Sequence, residues 1–584
     1  MGSPVPAGDQ SGVNPHPAIC LNMIVRNEAH VVHEVLDTVA PLISSWVVVD
    51  TGSDDGTQDV VRNHMAALGI PGEIHERPWR DFGHNRTEAL DLARGHGDYI
   101  WVIDADDLLV GTPDFSGLTA DVYTLRYGPG TTYWRRQLFR DGLRWRYIGV
   151  LHEFADCDDP FVEDRLDGDY YVESRRLGGR SMHPLKYARD AELLLSEVER
   201  EPDNPRSVFY LAQSYFDAGD IGNARHWYAR RAEMGAFDEE VYYSLNRVAE
   251  AMSLLGEPWP DVQDAYLRAW EFRPTRAEPL HQIAHHYRSD QRYQLGYLFA
   301  ERAAQIPLPT EDLLFLGAEV YAWRALDEQA VCASWIAGKQ PEAFTLCRRL
   351  LARDDLPDDD RQRIAANRDC CAPPMMQAAA GYPHEVARSL VAGSPDAEVT
   401  VSLVAGPDRG VTEATLNSLL HCCLDLSGAG RILVLDAGLS TQDRVELRER
   451  YPFLDFRPSP PNARLEDIRG LISGRFWLHL GEGWRLFAPE SLIGRLTAVL
   501  EAEPGVFQVG INLDDATRLT GASAPESSVR RTDQAGRYLL TASMVSGPAM
   551  FDAARLDRVA AGDALHTATL DEVLCVAAHL PHFP

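Results

Sequence analysis

Asp104 and Asp106 lie two residues apart at the end of an apolar run, Tyr99-Ile100-Trp101-Val102-Ile103. The run predicts a buried central strand. Its carboxylates then fall at the strand's end, in the crevice where open α/β sheets bind ligands. This spacing can aim two carboxylates at one hard cation and its substrate. Mg2+ and Mn2+ are commonly held by one or two carboxylates together with phosphate oxygens. For a bare Asp-x-Asp, an acidic turn closing a strand is the plainer alternative, so the surrounding elements decide.

The chain has 584 residues, too many for one ordinary core, and two to four domains are expected. A formal net charge of -31 argues against broad binding to nucleic acid or acidic membrane. Nine cysteines without paired metal-type spacing point to a reduced, cytoplasmic protein. Residues 1–17 are polar and rich in Gly, Pro and Ser, and read as a flexible tail without the apolar core of a signal peptide. No later run is long and apolar enough to span a membrane, so no membrane partner is expected.

The elements ahead of the acidic pair alternate. Residues 19–25 predict a strand, followed by Arg26-Asn27-Glu28 and a helix over about 29–39. Trp46-Val47-Val48-Val49-Asp50 predicts a second buried strand, which runs into Thr51-Gly52-Ser53-Asp54-Asp55-Gly56-Thr57. Asp50 thus ends a strand, a usual place to hold a ribose or base. A third strand near 72–77 leads through Trp79-Arg80-Asp81-Phe82-Gly83-His84-Asn85-Arg86 to a helix over 87–94. Strand alternating with helix predicts a parallel sheet covered on both faces.

Taken in order, Arg-Asn-Glu, then Val-Val-Asp-Thr-Gly-Ser-Asp-Asp-Gly-Thr, then Asn-Arg ahead of Ile-Asp-Ala-Asp-Asp, resemble a family 2 glycosyltransferase of the Rossmann-like GT-A fold. The resemblance covers roughly residues 18–190, and the catalytic GT-A domain is expected over 18–186. It implies a nucleotide-sugar donor, a UDP-sugar first among them, and a Mn2+ or Mg2+ cofactor. It implies that Asp50 contacts the nucleoside, that Asp104 lies near the ribose, and that Asp106 ligates the metal on the diphosphate. Asn27 and Glu28 belong to the same donor-binding set. Arg86 falls where the family places a basic residue near the donor; a salt bridge at a helix start is the alternative.

Beyond the acidic pair, aromatic and guanidinium groups interleave: Tyr133-Trp134-Arg135-Arg136, Phe139-Arg140 and Arg144-Trp145-Arg146-Tyr147. Arginine suits phosphate or carboxylate, and aromatic faces suit sugars or bases. Trp134, Arg135, Arg136 and Trp145 are therefore candidate acceptor or diphosphate contacts; a half-buried basic hairpin is the alternative. Gly149-Val150-Leu151-His152-Glu153 resembles the family's Val-His-Glu segment. Glu153 is the candidate general base, since an inverting transfer needs a carboxylate to take the acceptor's proton. The alternative is a structural Glu paired with a nearby arginine. His152 is a candidate to orient Glu153 or to touch the donor. His183, in Ser181-Met182-His183-Pro184, fits by order as a further metal ligand of such folds; a satisfied loop histidine is the alternative.

From about Lys186 the periodicity turns helical. Residues 204–228 show the helix, glycine turn and helix of a tetratricopeptide repeat, and Ser334-Trp335-Ile336-Ala337-Gly338-Lys339 begins a second copy. A degenerate, TPR-like all-α array over 187–372 is expected. It offers either a concave surface for a peptide or a scaffold that stabilises or dimerises the chain. Residues 373–395 read as a linker. Over 396–584 the strand-helix rhythm returns. Arg431-Ile432-Leu433-Val434-Leu435-Asp436 repeats the shape of the Asp50 strand, and Phe476-Trp477-Leu478-His479-Leu480-Gly481-Glu482-Gly483 that of the acidic strand. Aligned by eye, Leu480 replaces Asp104 and Glu482 replaces Asp106. This predicts a second, degenerate GT-A-like domain with a damaged metal motif.

Family 2 enzymes fused to helical repeats include the peptide S- and O-glycosyltransferases of glycosylated bacteriocin pathways. This chain is similar in its GT-A head and repeat tail, and departs in its extra C-terminal domain. A peptide or protein side chain is thus the first acceptor reading, with a cell-surface glycan or natural product next. A nucleic-acid acceptor rests only on the 133–147 cluster. A reading of a different class makes the chain a non-catalytic, repeat-based binding scaffold; the intact Asp50, Asp104 and Asp106 set argues against it.

Overall fold

The computed structural model describes residues 17–128, 133–175, 177–178, 185–312, 314–390, 398–461, 463–512, 526–572 and 574–577. His183 and residues 1–16 lie outside them, as does the side chain of Tyr133. The chain forms two compact units. One holds residues 1–274 with 309–316, and the other holds residues 275–308 with 317–584.

The first unit begins with an α/β layer. Its elements are β1 (Ile19–Val25), α1 (Val32–Val39), β2 (Ser45–Asp50), α2 (Thr57–Leu68), β3 (Gly72–Glu76), α3 (Phe82–Ala93) and β4 (Tyr99–Val102). They continue as β5 (Asp107–Gly111), β6 (Val122–Tyr127), β7 (Tyr133–Arg140), β8 (Trp145–Ile148), β9 (Phe154–Cys157), β10 (Glu163–Arg165) and β11 (Tyr170–Ser174). The sheet runs β3-β2-β1-β4-β7-β6-β11-β5, with β10 on β6; β8 and β9 pair apart from it. β3, β2, β1 and β4 are parallel, and β7 returns antiparallel to β4. The parallel strands are apolar on both faces because helices cover both. One face carries Val32, Val35, Leu36 and Val39 of α1, spaced as one side of a helix. The other carries Leu90 and Ala93 of α3.

Helix α3 starts five residues earlier than the sequence predicts. The Asp81 side chain accepts from the backbone N–H of His84 at 2.7 Å and caps the new start. Asn85 braces the entry, donating to the Pro78 carbonyl at 3.1 Å and accepting from Arg80 N–H at 2.9 Å. Arg86 therefore projects from the helix itself. In the centre of β1, buried Asn22 donates to the carbonyls of Val47 at 3.1 Å and Ala89 at 3.0 Å, tying α3 to the sheet. Gly83 lets α3 approach the end of β8, since a Cβ there would stand 2.4 Å from the Gly149 carbonyl oxygen.

Five helices complete this unit: α4 (Lys186–Arg200), α5 (Pro205–Asp217), α6 (Ile221–Glu233), α7 (Asp238–Leu254) and α8 (Trp259–Phe272). Asn204 and Asp220 cap α5 and α6 by accepting backbone N–H groups, and Pro205 occupies the first turn of α5. The 309–316 segment joins the same helices. Arg273 makes paired bonds to Asp312 at 2.7 and 2.6 Å, and Leu314 N–H donates to Glu239 at 2.6 Å.

The second unit contains α9 (Glu278–Ser289), α10 (Tyr293–Ala304), α11 (Ala325–Ser334), α12 (Gln340–Leu351), α13 (Asp358–Cys370), α14 (Ala372–Ala379) and α15 (His384–Ser389). The TPR-like helical run is thus shared between the two units, which divide after Pro274. A further α/β sheet follows, with β12 (Val399–Ala405), α16 (Arg409–Cys422), β13 (Ala429–Asp436), α17 (Thr441–Arg450), β14 (Asp455–Pro458) and β15 (Phe476–Leu480). Its order β14-β13-β12-β15 repeats β3-β2-β1-β4, and the strand Ala549–Asp552 then pairs antiparallel to β15.

Register corrects the by-eye alignment of the two sheets by one residue. Val25 pairs with Asp50 and Ala405 with Asp436, so those positions correspond. Three residues earlier, Asn22 pairs with Val102 and Ser402 with His479. Gly481 and Gly483 therefore take the places of Asp104 and Asp106. Glu482 takes that of Ala105, and its carboxylate fills the space beside Gly406 that a side chain there would need. The matching faces agree: Trp101 shares a core with α1, and Leu478 shares one with α16.

Gly83→Ala should cost about 1–3 kcal/mol through the clash with the Gly149 carbonyl. Urea unfolding of this variant beside Gly222→Ala, at the matching second position of α6 where a Cβ meets only ordinary contact, measures it. A midpoint equal to wild type would mean that α3 does not press on the β8 end.

Candidate active site

Arg86 is the centre of the site. Its side chain is 7% exposed and meets two carboxylates. Nε donates to Glu153 Oε1 at 2.7 Å, and Nη2 donates to Asp104 Oδ1. Arg135, from β7, reaches the other Asp104 oxygen at 3.5 Å. Burial opposes the charge on Arg86, but Asp104 and Glu153 outweigh it and raise its pKa. Burial likewise pushes Asp104 up, yet Arg86 and then Arg135 hold it down at about 2. The guanidinium also lies over the Tyr147 ring, 5.7 Å from its centre. Both alternatives from the sequence, a salt bridge for Arg86 and a paired Glu153, are realised as one three-residue network.

These groups line a cavity of about 910 Å³. Glu28, Asp106 and Gly178 bound one side. Gly178 N–H donates to Asp106 Oδ2 at 2.8 Å, and a Cβ on Gly178 would stand 3.1 Å from that oxygen and 3.0 Å from Glu28 Oε1. The two carboxylates thus converge on a residue that lacks a side chain. Trp134, Arg136, His152, Phe154 and Glu163 also line the cavity. Arg136 donates to Glu163 at 3.0 Å and to the Ala155 carbonyl at 2.9 Å. Trp134 carries the Arg165 guanidinium 5.3 Å from its ring centre.

Not every sequence candidate reaches the cavity. Trp145 is buried against Phe139 and Phe161 and donates its indole N–H to the Arg140 carbonyl at 3.2 Å. It is a core residue, because β8 pairs with β9 rather than forming a hairpin with β7. Asn27, at φ +59°, accepts from Asp54 N–H at 2.9 Å and braces the loop after β2. Asp50 stands apart at the end of β2. Its Oδ1 accepts from Gly52 N–H at 2.9 Å and Ser53 N–H at 3.0 Å, while its buried Oδ2 has no partner among the described residues. Among those residues no group of three His, Cys, Asp or Glu can hold a metal unaided. Asp106 with Glu28 beside it fits a hard cation that completes its shell with phosphate oxygens and water.

Two residues absent from the sequence candidates, Arg206 and Tyr210 of α5, also line the cavity. They sit inside the repeat pattern, which gives no sign of a catalytic neighbour. All nine cysteines are free, and only Cys370 is exposed. Among the described residues no helix is long and apolar enough to cross a membrane.

Residues 20–111 match the family model described as Glycosyl transferase family 2. The first α/β domain therefore carries a family 2 glycosyltransferase segment. The chain is 24% identical over 247 residues to a TPR repeat-containing protein of Synechococcus elongatus, covering 39% of this chain and 59% of that protein. It is 22% identical over 217 residues to the SPbeta prophage-derived glycosyltransferase SunS of Bacillus subtilis, covering 34% of this chain and 49% of SunS. The matches thus span 49–59% of these relatives. Among solved structures it is similar to YrrB, a TPR protein with an unusual peptide-binding site (12% identity, TM-score 0.25, 32% of this chain and 84% of that one). MamA is similar at 16% identity with a TM-score of 0.24, covering 28% of this chain and 87% of that one.

Asp107, beside the network, is buried and accepts from the Tyr127 hydroxyl at 2.9 Å. Burial, then the charge of Asp104, pushes it up to about 7. Its folded pKa lies above the unfolded value, so this group costs stability increasingly as pH rises from about 4 to 7. Asp107→Asn should therefore raise stability by a few kcal/mol at about pH 8 and leave it unchanged near pH 4. Urea melts at the two pH values measure the difference; an equal effect at both would refute the buried-proton account.

Proposed function

We propose that the chain is a metal-dependent glycosyltransferase that moves a sugar from a nucleotide-sugar, a UDP-sugar first among them, to a peptide or protein side chain. The observation that carries this reading is one buried arginine joining two carboxylates that line the same cavity, Asp104 next to Asp106 and Glu153 from the turn after β8. A site of that form separates two jobs. Asp104, next to Asp106, serves the end that holds the charged leaving group, and Glu153 is the proton acceptor.

Asp106, with Glu28 beside it, would hold Mn2+ or Mg2+, and the bound ion would offset charge on the departing diphosphate. Arg86 fixes Asp104 and Glu153 in place, and Arg135, more exposed and farther from Asp104 at 3.5 Å, is the guanidinium that would meet a diphosphate. Asp50 lies outside the cavity lining, and its contact with the nucleoside rests on the family resemblance. In the transfer, the acceptor's nucleophilic atom bonds to the anomeric carbon. The bond from that carbon to the diphosphate oxygen breaks, and its electron pair leaves with the nucleoside diphosphate. The acceptor's proton passes to Glu153. Displacement from the opposite face inverts the anomeric centre. A peptide acceptor is favoured because the cavity wall continues onto α5 of the helical region through Arg206 and Tyr210.

Calorimetry with UDP, GDP, dTDP and CMP, each with and without Mn2+, is the direct test. One nucleotide should bind tightly only with metal, at one site per chain. Failure of all four to bind would sink the donor site and favour a scaffold role. Asp106→Ala should lower turnover of the matching nucleotide-sugar by at least about a hundredfold while the fold is kept; unchanged turnover would remove Asp106 from the metal site. Glu153→Gln should keep nucleotide binding and lose transfer. Transfer that persists would place the base elsewhere.

A further inference from the structure

Glu153 lies in a tight turn between β8 and β9 that its own sequence does not favour. Gly149 sits at φ +106° and His152 at φ +51°. A non-glycine residue in the left-handed region costs energy and persists only where its surroundings over-determine it. Here those surroundings come from the helical region. Leu151 is buried in a cluster with Ala191, Leu194 and Val198 of α4 and Val208 and Leu211 of α5. On the next residue, Arg206 donates to the His152 carbonyl oxygen through Nη2 at 3.0 Å and Nε at 3.3 Å. The His152 imidazole stacks on the Tyr210 ring, with centroids 3.9 Å apart and planes 11° from parallel. Past Glu153, the Phe154 ring carries the Arg206 guanidinium 5.2 Å from its centre, and the same guanidinium lies 5.0 Å from the centre of Tyr210. Residues on both sides of Glu153 are thus gripped by one helix. The Glu153 side chain turns the other way, to Arg86 of α3, the helix whose Phe82 N–H also donates to the Val150 carbonyl at 3.2 Å.

We propose that Arg206 and Tyr210 are positioning residues for Glu153: helix α5 holds the strained turn so that the carboxylate faces the cavity, and the helical region is a working part of the site. This rests on the reading of Glu153 as proton acceptor given above. It predicts that loosening the α5 grip harms the chemical step and leaves the donor end untouched, because Asp104, Asp106 and Glu28 are held by the sheet and by α3.

The test uses the full chain with the nucleotide-sugar chosen by the nucleotide screen and Mn2+. Donor turnover to water is followed as nucleoside diphosphate release, and amide hydrogen exchange is measured alongside. Tyr210→Ala and Arg206→Gln should each lower kcat by about ten- to a hundredfold, since small misplacement of a reacting group costs that much. KM for the donor and nucleotide affinity should stay at wild-type values. Tyr210→Phe, which keeps the stacked ring, should restore kcat. Exchange should rise in residues 150–154 of the Ala and Gln variants and stay constant in β4. Unchanged kcat in both variants, an equal loss of donor affinity, or a Phe variant as slow as the Ala variant would overturn the proposal. So would unaltered exchange in 150–154, which is read without any turnover. If Glu153→Gln transfers normally, it is the base assignment that fails, and the exchange result still decides whether α5 holds the turn.

Discussion

A buried cation shared by two carboxylates sets the terms for the first α/β domain. Removing one partner of such a group typically costs about 3–5 kcal/mol, because the remaining charge is stranded away from water. Arg86 therefore has to be delivered to one place, between the end of β4 and the turn after β8. Helix α3 does this, and several otherwise odd residues follow from it. Asn22 spends its buried amide on tethering α3 to the sheet. Asp81 starts the helix early enough for Arg86 to lie on it. Gly83 removes the side chain that would hold the helix off Gly149. None of the three lines the cavity, yet each fixes the geometry of residues that do.

The grip of α5 on the turn before β9 extends that logic beyond the sheet. The same carboxylate is held from one side by Arg86 and steadied from the other through its neighbours. Within the first unit, the sheet and the helices are therefore two halves of one site. A strained residue such as His152 is intelligible only with both present.

The parts legible from sequence were those carried by local pattern. Apolar runs ending in Asp50 and Asp104 gave the parallel strands, because a doubly covered strand must be apolar throughout. The change to helical spacing near Lys186 gave the helices. Arg86 and Glu153 were named, each with pairing as one alternative; that they pair with each other was hidden, since 67 residues separate them. Trp145 looked like an acceptor contact because it sits among arginines, but strand pairing turns it into the core. Arg206 and Tyr210 were invisible for the opposite reason: a repeat pattern explains them completely as repeat residues. Composition and spacing register which residues are unusual along the chain, and an ordinary residue becomes functional only through what the fold sets beside it.

The second α/β sheet supplies an internal comparison for the carboxylates. Asp436 ends β13 as Asp50 ends β2, and each Oδ1 accepts two backbone N–H groups of the following turn. They part at the other oxygen. Asp436 Oδ2 is paired with Arg444 of α17, through Nε at 2.6 Å and Nη2 at 2.5 Å. Asp50 Oδ2 is buried with nothing to satisfy it among the described residues. A buried unpaired carboxylate oxygen is costly, and an arginine one helix turn away removes the cost. Register then puts Gly481 and Gly483 where the first sheet has Asp104 and Asp106. The second sheet thus pairs its counterpart of Asp50 with an arginine and has glycines in the places of Asp104 and Asp106. The same strand order forms without them, while in the first sheet Asp104 is the partner of Arg86 and Arg135 and Asp106 accepts from Gly178 N–H.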